Sequence, residues 1–583
     1  MEDTKVLGFL NSTLDGASPY HDEALATVLA SRALYRGEPM GNEVEGRSAI
    51  VMKDIQRTVH GALPSIVEPF LGDEIVSIES EIPSQKDGCK KQEALVNYQW
   101  ARKHNPLEVM ETVGINLMVD GTVWLMTGWD SEGYPTTSVV PFESVIPDPA
   151  ATKPEEMRFV IYRRKVSVSE ILSNPDWFGK HTKRSLQALM PDTESEYDPE
   201  PVYGRQDDYN PDDRALEKLE LFEYYGWYDL DGDGIAEPVL GIWHRDRLLK
   251  MIESPFPFGP IPFDTAVYVR QPFSIYGLPI SELIGEYQHL RTSITRGIID
   301  NMANSNSGTK FIRKGSLDPV NWNRLKRGEP YVEINVPSQT GTDALIYDGN
   351  YNPIPQAVFA LNEEIQKEQE NLSGITRYAV GSDSRSLNQT ATGIGIISSM
   401  SQRRLIYITR HLASMMERVF TKWAALNAEL IERVVVPTLE GDIVVDGTTL
   451  PADGFGIKVT TPTEGLKETK RQQIVSMIQS LAPMVPYTGA TPVLSLLSDM
   501  AELMDMPKVK MMLARSIQEA EQNKGMTQQI AIQQQQIEQM KAQIEMMKDA
   551  AGAQKDQALA QKYLAESDAE RYDTILKSYG QGA

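Results

Sequence analysis

Apolar residues at Leu283, Tyr287, Leu290, Ile294 and Ile298 are separated by 4, 3, 4 and 4 positions, a spacing that keeps one helical face apolar and leaves the others polar. The period returns at Val358, Leu361, Ile365 and Leu372, with Glu363, Glu364, Glu368 and Glu370 on the remaining surface. This second helix therefore has a narrow apolar stripe and an acidic back. A third and longer run, Ile408, Leu412, Met415, Val419, Trp423, Leu426 and Leu430, predicts the most strongly patterned helix of the chain.

Between the first two helices, residues 309–351 change period. Val332, Ile334 and Val336 alternate, and Asp318-Pro319, Arg327-Gly328, Pro337-Ser338 and Asp348-Gly349 punctuate, so a small α/β insert carried on two helices is expected. Residues 376–397 are small and polar. Asn388 is placed to cap a helix that continues past Gly393 and Gly395, where two glycines predict a kink before the long stripe begins.

Upstream, helices are expected at 24–35, 49–70 with an interruption near Pro64, and 107–118, the last with Pro106 in its first turn and Gly121 at its end. Strands are expected at 122–129 and 159–162, a short helix at 168–172, and a hairpin from 219–228 to 239–244. Residues 190–213 combine nine acidic residues with four prolines, a composition that favours a solvated loop. Downstream, strands are expected at 434–436, 443–445 and 457–459, followed by methionine-rich, proline-broken helices over 466–515. From Met526, apolar positions at Ile530, Ile537, Met540, Ile544 and Met547, with Gln533 interrupting, step alternately by 4 and 3. That heptad reads either as an assembled helix or as a fraying tail.

Composition narrows the function classes. A chain of 583 residues exceeds one compact core, and three to five structural regions are expected. One cysteine, Cys89, excludes an intrachain disulfide and fits a reducing compartment. No secretory leader or membrane span is expected, since no stretch approaches eighteen uninterrupted apolar residues. With 81 acidic against 57 basic residues and a net charge of −24, the surface as a whole repels phosphate rather than neutralising it. The insert reverses that sign locally: Lys310, Arg313, Lys314, Arg324, Lys326 and Arg327 precede Glu329, against a single Asp318. These cations fit contacts with nucleic acid or acidic partners, or ion pairs between neighbouring subunits. Arg403 and Arg404 carry the same two readings.

Enzymatic chemistry is not apparent. A Gly-x-x-x-x-Gly-Lys-Ser/Thr phosphate loop is missing, and the seven histidines show no metal-ligand spacing. Asp229, Asp231 and Asp233, with Gly232 and Gly234 between and after them and Glu237 beyond, resemble the first half of a calcium loop. Leu240 stands where the bidentate glutamate belongs, so a calcium site and a tight Asp/Gly turn both remain open, and no cofactor is required.

In their order and spacing, several stretches resemble the portal, or head-tail connector, proteins of tailed double-stranded DNA bacteriophages, the short-tailed enterobacterial type in particular. They are Gly46-Arg47-Ser48-Ala49-Ile50-Val51 with Pro64-Ser65-Ile66, Val145-Ile146-Pro147-Asp148-Pro149, Trp227 through Gly234, Tyr276-Gly277-Leu278-Pro279 and Asn388-Gln389-Thr390-Ala391-Thr392-Gly393. The resemblance implies an α+β, mainly helical portal fold: wing over 1–276, stem helices at 277–308 and 355–375 around a clip at 309–354, and a tunnel loop at 376–395. A wing spine with returning strands then covers 396–465, a crown 466–520 and a helical barrel or tail 521–583. It implies a non-enzymatic homo-oligomeric ring, usually of twelve copies, at one capsid vertex of the virion, assembled in the host cytoplasm. Genomic DNA would pass Gly381, Asn388, Thr390, Thr392, Gly393, Arg403 and Arg404. The partners implied are the large terminase subunit, a tail adaptor, and the major capsid and scaffolding proteins, without a membrane. The rival reading is a coiled-coil or calcium-dependent scaffold lacking a channel.

Overall fold

The computed structural model describes residues 2–189, 215–306, 310–312, 319–320, 323, 346–348, 353–375, 391–438, 441–459, 494–498, 512–513 and 515–517. The chain divides into two units, Met1–Thr461 and Pro462–Ala583. In the second, the described residues are short helical pieces at 494–498, 512–513 and 515–517, inside or just beyond the helical stretch expected there; the heptad from Met526 lies outside the described residues.

The first unit begins with α1 (Glu2–Arg36), which starts far upstream of the expected Ala24 because Leu10, Leu14 and Ala17 already bury one face. α2 (Asp54–Val67) starts at Asp54 rather than at residue 49, and Pro64 lies within it instead of breaking it. β1 (Val76–Ser80) and α3 (Lys86–Tyr98) follow, then α4 (Pro106–Asp120), with Pro106 in its first turn and Gly121 at φ 76° closing it, as the sequence predicts.

Next come β2 (Thr122–Trp129), β3 (Pro135–Val140), β4 (Val145–Pro147) and β5 (Phe159–Ser167), the last longer than expected. Three short helices, α5 (Val168–Ser173), α6 (Pro175–Phe178) and α7 (Lys183–Gln187), precede β6 (Lys218–Tyr228), β7 (Glu237–His244), β8 (Arg247–Glu253) and β9 (Phe263–Val267). The two-residue strands β10 (Val269–Arg270) and β11 (Gly277–Leu278) lead into α8 (Ile280–Asn306). Beyond it lie β12 (Lys310–Ile312), β13 (Ile346–Asp348), α9 (Gln356–Ser373), α10 (Ala391–Leu430), β14 (Arg433–Thr438), β15 (Gly441–Asp446) and β16 (Phe455–Val459).

Helices and open antiparallel sheets thus share the unit, as the α+β expectation has it. The largest sheet runs β4-β5-β6-β7-β8, and the expected hairpin is its β6–β7 pair. Its two faces separate with the period of two that a strand imposes. Leu219, Leu221 and Tyr225 of β6 join Leu240 and Ile242 of β7 in one core, while Phe222, Tyr224, Val239 and Trp243 face the Leu10–Leu14 end of α1.

A third core forms around α10. Every member of its predicted stripe from Ile408 to Leu426 is buried, and only Leu430 at the end is exposed. Trp423 donates to Thr137 Oγ1 at 2.8 Å, and Phe420 and Trp423 meet Trp100 at ring-centroid distances of 5.5 and 6.1 Å. The polar flank of α10 is anchored as well: Lys422 Nζ lies 2.9 Å from Asp264 of β9 and donates to Phe263 O, while Arg418 donates to Thr265 O. Burial pushes the Lys422 pKa down against the pull of Asp264.

Candidate channel and subunit-contact surface

At its start α8 shares an apolar core with α2 through Ile280 and Ile284, and farther along α8, α9 and α2 meet at a polar node. Arg291 of α8 reaches Asp54 of α2 at 2.5 Å and Asn362 of α9 at 3.2 Å, and Gln369 of α9 donates to the other Asp54 oxygen at 3.4 Å. The Arg291 and Asp54 side chains are 8% and 4% exposed. A buried pair of this kind contributes little net stability while intact, but removing one partner costs about 3–5 kcal/mol because the other charge stays buried. It therefore fixes geometry more than it adds stability.

The apolar stripe read from the sequence of α8 is not the face that the protomer buries. None of Leu283, Tyr287, Leu290, Ile294 and Ile298 is fully buried, and Leu290 and Met302 are more than half exposed. The buried face carries Ile280, Ile284, Gln288, Arg291 and Thr292 instead. The period locates an apolar stripe but cannot say which partner covers it. On α9 the same holds in part: Ile365 is buried, whereas Phe359, Leu361 and Leu372 are exposed. Glu363 and Glu364 are exposed, and Glu368 and Glu370 are half-buried; Lys367 pairs with Glu364 at 4.0 Å.

The junction that delivers the chain into α8 is tight. Thr122 Oγ1 accepts from Gly277 N at 2.9 Å, and a Cβ on Gly277 would stand 2.6 Å from both Gly121 O and Val267 Cβ, so the Tyr276-Gly277-Leu278-Pro279 stretch owes its glycine to close backbone approach. Tyr276 OH lies 3.0 Å from His21 Nδ1 of α1, and the His21 ring stacks on Phe142 at 5.4 Å. His21 is buried in the core. Burial, seconded by the Arg163 charge and opposed by the Glu143 backbone, takes its pKa down to about 4. Between β10 and β11, Phe273 stands 93% exposed at φ 59°, the one non-glycine residue with positive φ among those described.

Of the residues assigned to the DNA path, Gly381, Asn388 and Thr390 lie outside the described residues. α10 has begun by Ala391, so the backbone at Thr392, Gly393 and Arg403 is helical, as the capping role of Asn388 implies and the loop boundary at 395 does not. Arg404 is exposed, but its stem folds over the end of α9: a Cβ on Gly374 (φ 69°) would lie 2.5 Å from Arg404 Cδ. Of the insert cations, Lys310 lies in β12 and pairs in register with Asp348 of β13, which closes the base of the insert as a ribbon. Arg313, Lys314, Arg324, Lys326 and Arg327, and the expected strand at 332–336, lie outside the described residues.

Asp229, Asp231, Asp233 and Glu237 do converge, with carboxylate oxygens within 4.8 Å of one another. The carboxylates are already engaged by the turn itself. Asp229 accepts from Gly232 N and Gly234 N, Asp231 from Asp233 N, Asp233 from Ile235 N, and Glu237 from Leu230 N, all between 2.6 and 3.0 Å. These bonds close an Asp/Gly turn at the tip of β6–β7.

Compared with known families, the chain matches the family described as phage SU10 portal protein over residues 6–136 and 130–551. It belongs to this phage portal family. The portal chain thus carries its exposed apolar and acidic helix pair within a structural, non-enzymatic family. No helix among its described residues is long and apolar enough to cross a membrane.

Proposed function

We propose that copies of this portal protein close into a ring at one capsid vertex, and that genomic double-stranded DNA passes through the ring during packaging and ejection. α8 and α9 are the stem, the insert between them is the clip, and residues 376–390 with the start of α10 face the tunnel. The ring docks the large terminase subunit while filling and a tail adaptor afterwards, within a shell of capsid and scaffolding proteins. The observation that carries this reading is the uncovered apolar surface of the helix pair: Leu290, Met302, Phe359 and Leu361 are each half exposed or more in the protomer. A head-to-tail neighbour related by rotation supplies a cover for that surface and closes the circle. Phe273, held out at a conformational cost, is a further contact of the same kind. The net charge of −24 suits a conduit, because a wall that neutralised phosphates would have to break each contact as the duplex moved. The insert cations serve in this scheme as ion pairs between neighbouring copies.

Negative-stain images and light scattering of the purified chain test the proposal. Calcium-free protein forms closed rings with a central hole. Leu290→Lys with Met302→Lys leaves folded protomers that no longer close, since each such side chain contributes about 1.5–3 kcal/mol per contact when covered. Rings unchanged by this double substitution would remove the stem from the interface. A monomer in the unaltered chain would favour a scaffold without a channel.

A further inference from the structure

Residues 48–53 form neither helix nor strand, yet they, and Ile55 in the first turn of α2, are bonded along α8 by four side chains spaced one helical turn apart. Gln288 Oε1 accepts from Ile55 N at 2.9 Å, and Thr292 Oγ1 accepts from Met52 N at 3.1 Å. Arg296 Nε donates to Ile50 O at 2.7 Å, and Asp300 Oδ1 accepts from Ser48 N at 2.7 Å. The Gln288 amide also donates to Leu34 O at the end of α1, and Arg296 continues to Asn42 and Glu43 at 2.8 and 2.5 Å. The N–H of Met40, and after it Arg296, hold the Glu43 carboxyl down at about 2.

The order of donors and acceptors makes the arrangement specific. Along α8 the ladder reads acceptor, acceptor, donor, acceptor, and it meets the N–H of Ile55 at the start of α2 and then N–H, C=O, N–H on the extended segment. A slip of α8 by one turn in either direction sets Arg296, which can only donate, against an N–H: that of Met52 one way and that of Ser48 the other. Either slip also brings Tyr287 or Thr295 to the place of Arg291, stripping the buried Asp54 of that charge.

We propose that residues 48–55 are a strap that locks the axial register of α8 against α1 and α2, through backbone contacts read by Gln288, Thr292, Arg296 and Asp300. The strap is built to release. Its bonds are few and grow more exposed away from the buried Gln288 and Thr292, toward Arg296 and Asp300, and Gly41 and Gly46, at φ 78° and 80° with open space around them, form its upstream hinge. Sliding of the stem helix is thereby coupled to opening of this segment, while the rest of the protomer stays folded. The inference concerns one protomer and stands whether or not the ring reading does.

Hydrogen exchange by mass spectrometry on the full-length chain, with spin labels at Arg47→Cys and Met302→Cys for a distance, tests it. In the otherwise unaltered chain, Ser48, Met52 and Ile55 exchange more slowly than residues 41–47, and the label distance is single and narrow. Arg296→Lys, still a donor, keeps both properties. Arg296→Glu, an acceptor facing a carbonyl, speeds exchange at Ser48 and Met52 at least tenfold and broadens or displaces the distance by about one turn, ~6 Å. Thr292→Val speeds exchange at Met52 and decides the question if Arg296→Glu also loses protection in α10. A strap that exchanges as fast as 41–47 in the unaltered chain, a narrow unshifted distance in a folded Arg296→Glu protein, or an unaffected Met52 in Thr292→Val would each overturn the proposal.

Discussion

His21 makes the protomer acid-sensitive at the point where α1 meets the segment entering α8. Its ring is 1% exposed and its pKa falls from 6.5 to about 4, burial being the main cause. The native state therefore holds a neutral imidazole while the unfolded chain binds a proton below pH 6.5. Stability from this group is complete above pH 6.5 and is lost as pH falls toward 4, where the native ring protonates in turn. Integrating between the two pKa values gives a loss of about 2 kcal/mol at pH 5 relative to pH 7.5, approaching about 3 kcal/mol at lower pH. Other groups titrate in the same range, so the quantity to measure is a difference. Urea unfolding of the unaltered chain and of His21→Gln, followed by a probe in α1, is compared at pH 7.5 and pH 5. The substitution costs about 1–2 kcal/mol at pH 7.5 through lost packing and the lost Tyr276 bond, and that cost shrinks by about 2 kcal/mol at pH 5. An equal cost at the two pH values would mean that His21 is not held neutral, and the reasoning from burial would fail.

Two further outcomes follow from the same kind of argument. Arg291→Met strands Asp54 and costs about 3–5 kcal/mol, toward the lower end because Arg57 lies 3.5 Å away, whereas Arg291→Met with Asp54→Asn recovers most of the loss; a double variant as unstable as the single one in thermal melts would show that packing, not charge, holds the node. Calcium at 100 times its dissociation constant would add about 2.7 kcal/mol to a true site, but the Asp229–Glu237 turn is closed by its own backbone bonds, so calcium and chelator leave the melting curve unchanged; a calcium-dependent rise abolished by Asp231→Asn would restore the ion.

The parts of the fold legible in the sequence are those whose partners lie within the same protomer. The α10 stripe, the Pro106 to Gly121 helix and the β6–β7 hairpin are read correctly because each apolar period meets a core made by the same chain. α1 was cut short for the opposite reason. Its upstream half is mixed in composition, and its burial becomes visible only once the outer face of the β4–β8 sheet is known to need a cover. The polar node of Asp54, Arg291 and Gln369 carries no periodic signature, since it joins three helices distant in sequence. The four-residue ladder from Gln288 to Asp300 does have a period, but polar periods are ordinarily read as solvated faces.

α8 brings these points together. Past Ile284 its inner face is polar and satisfied by backbone and by Asp54, while the apolar Leu290 and Met302 stay more than half exposed. A helix serving only its own protomer would be built the other way round, because covering the apolar face stabilises by about 25 cal/mol per Å² at no cost in polar desolvation. The inversion is intelligible if the polar contacts set where α8 stands and a neighbouring copy supplies the apolar burial. Position and cohesion are then assigned to opposite faces of one helix, and a change at the strap can shift the helix without first dismantling the interface it presents.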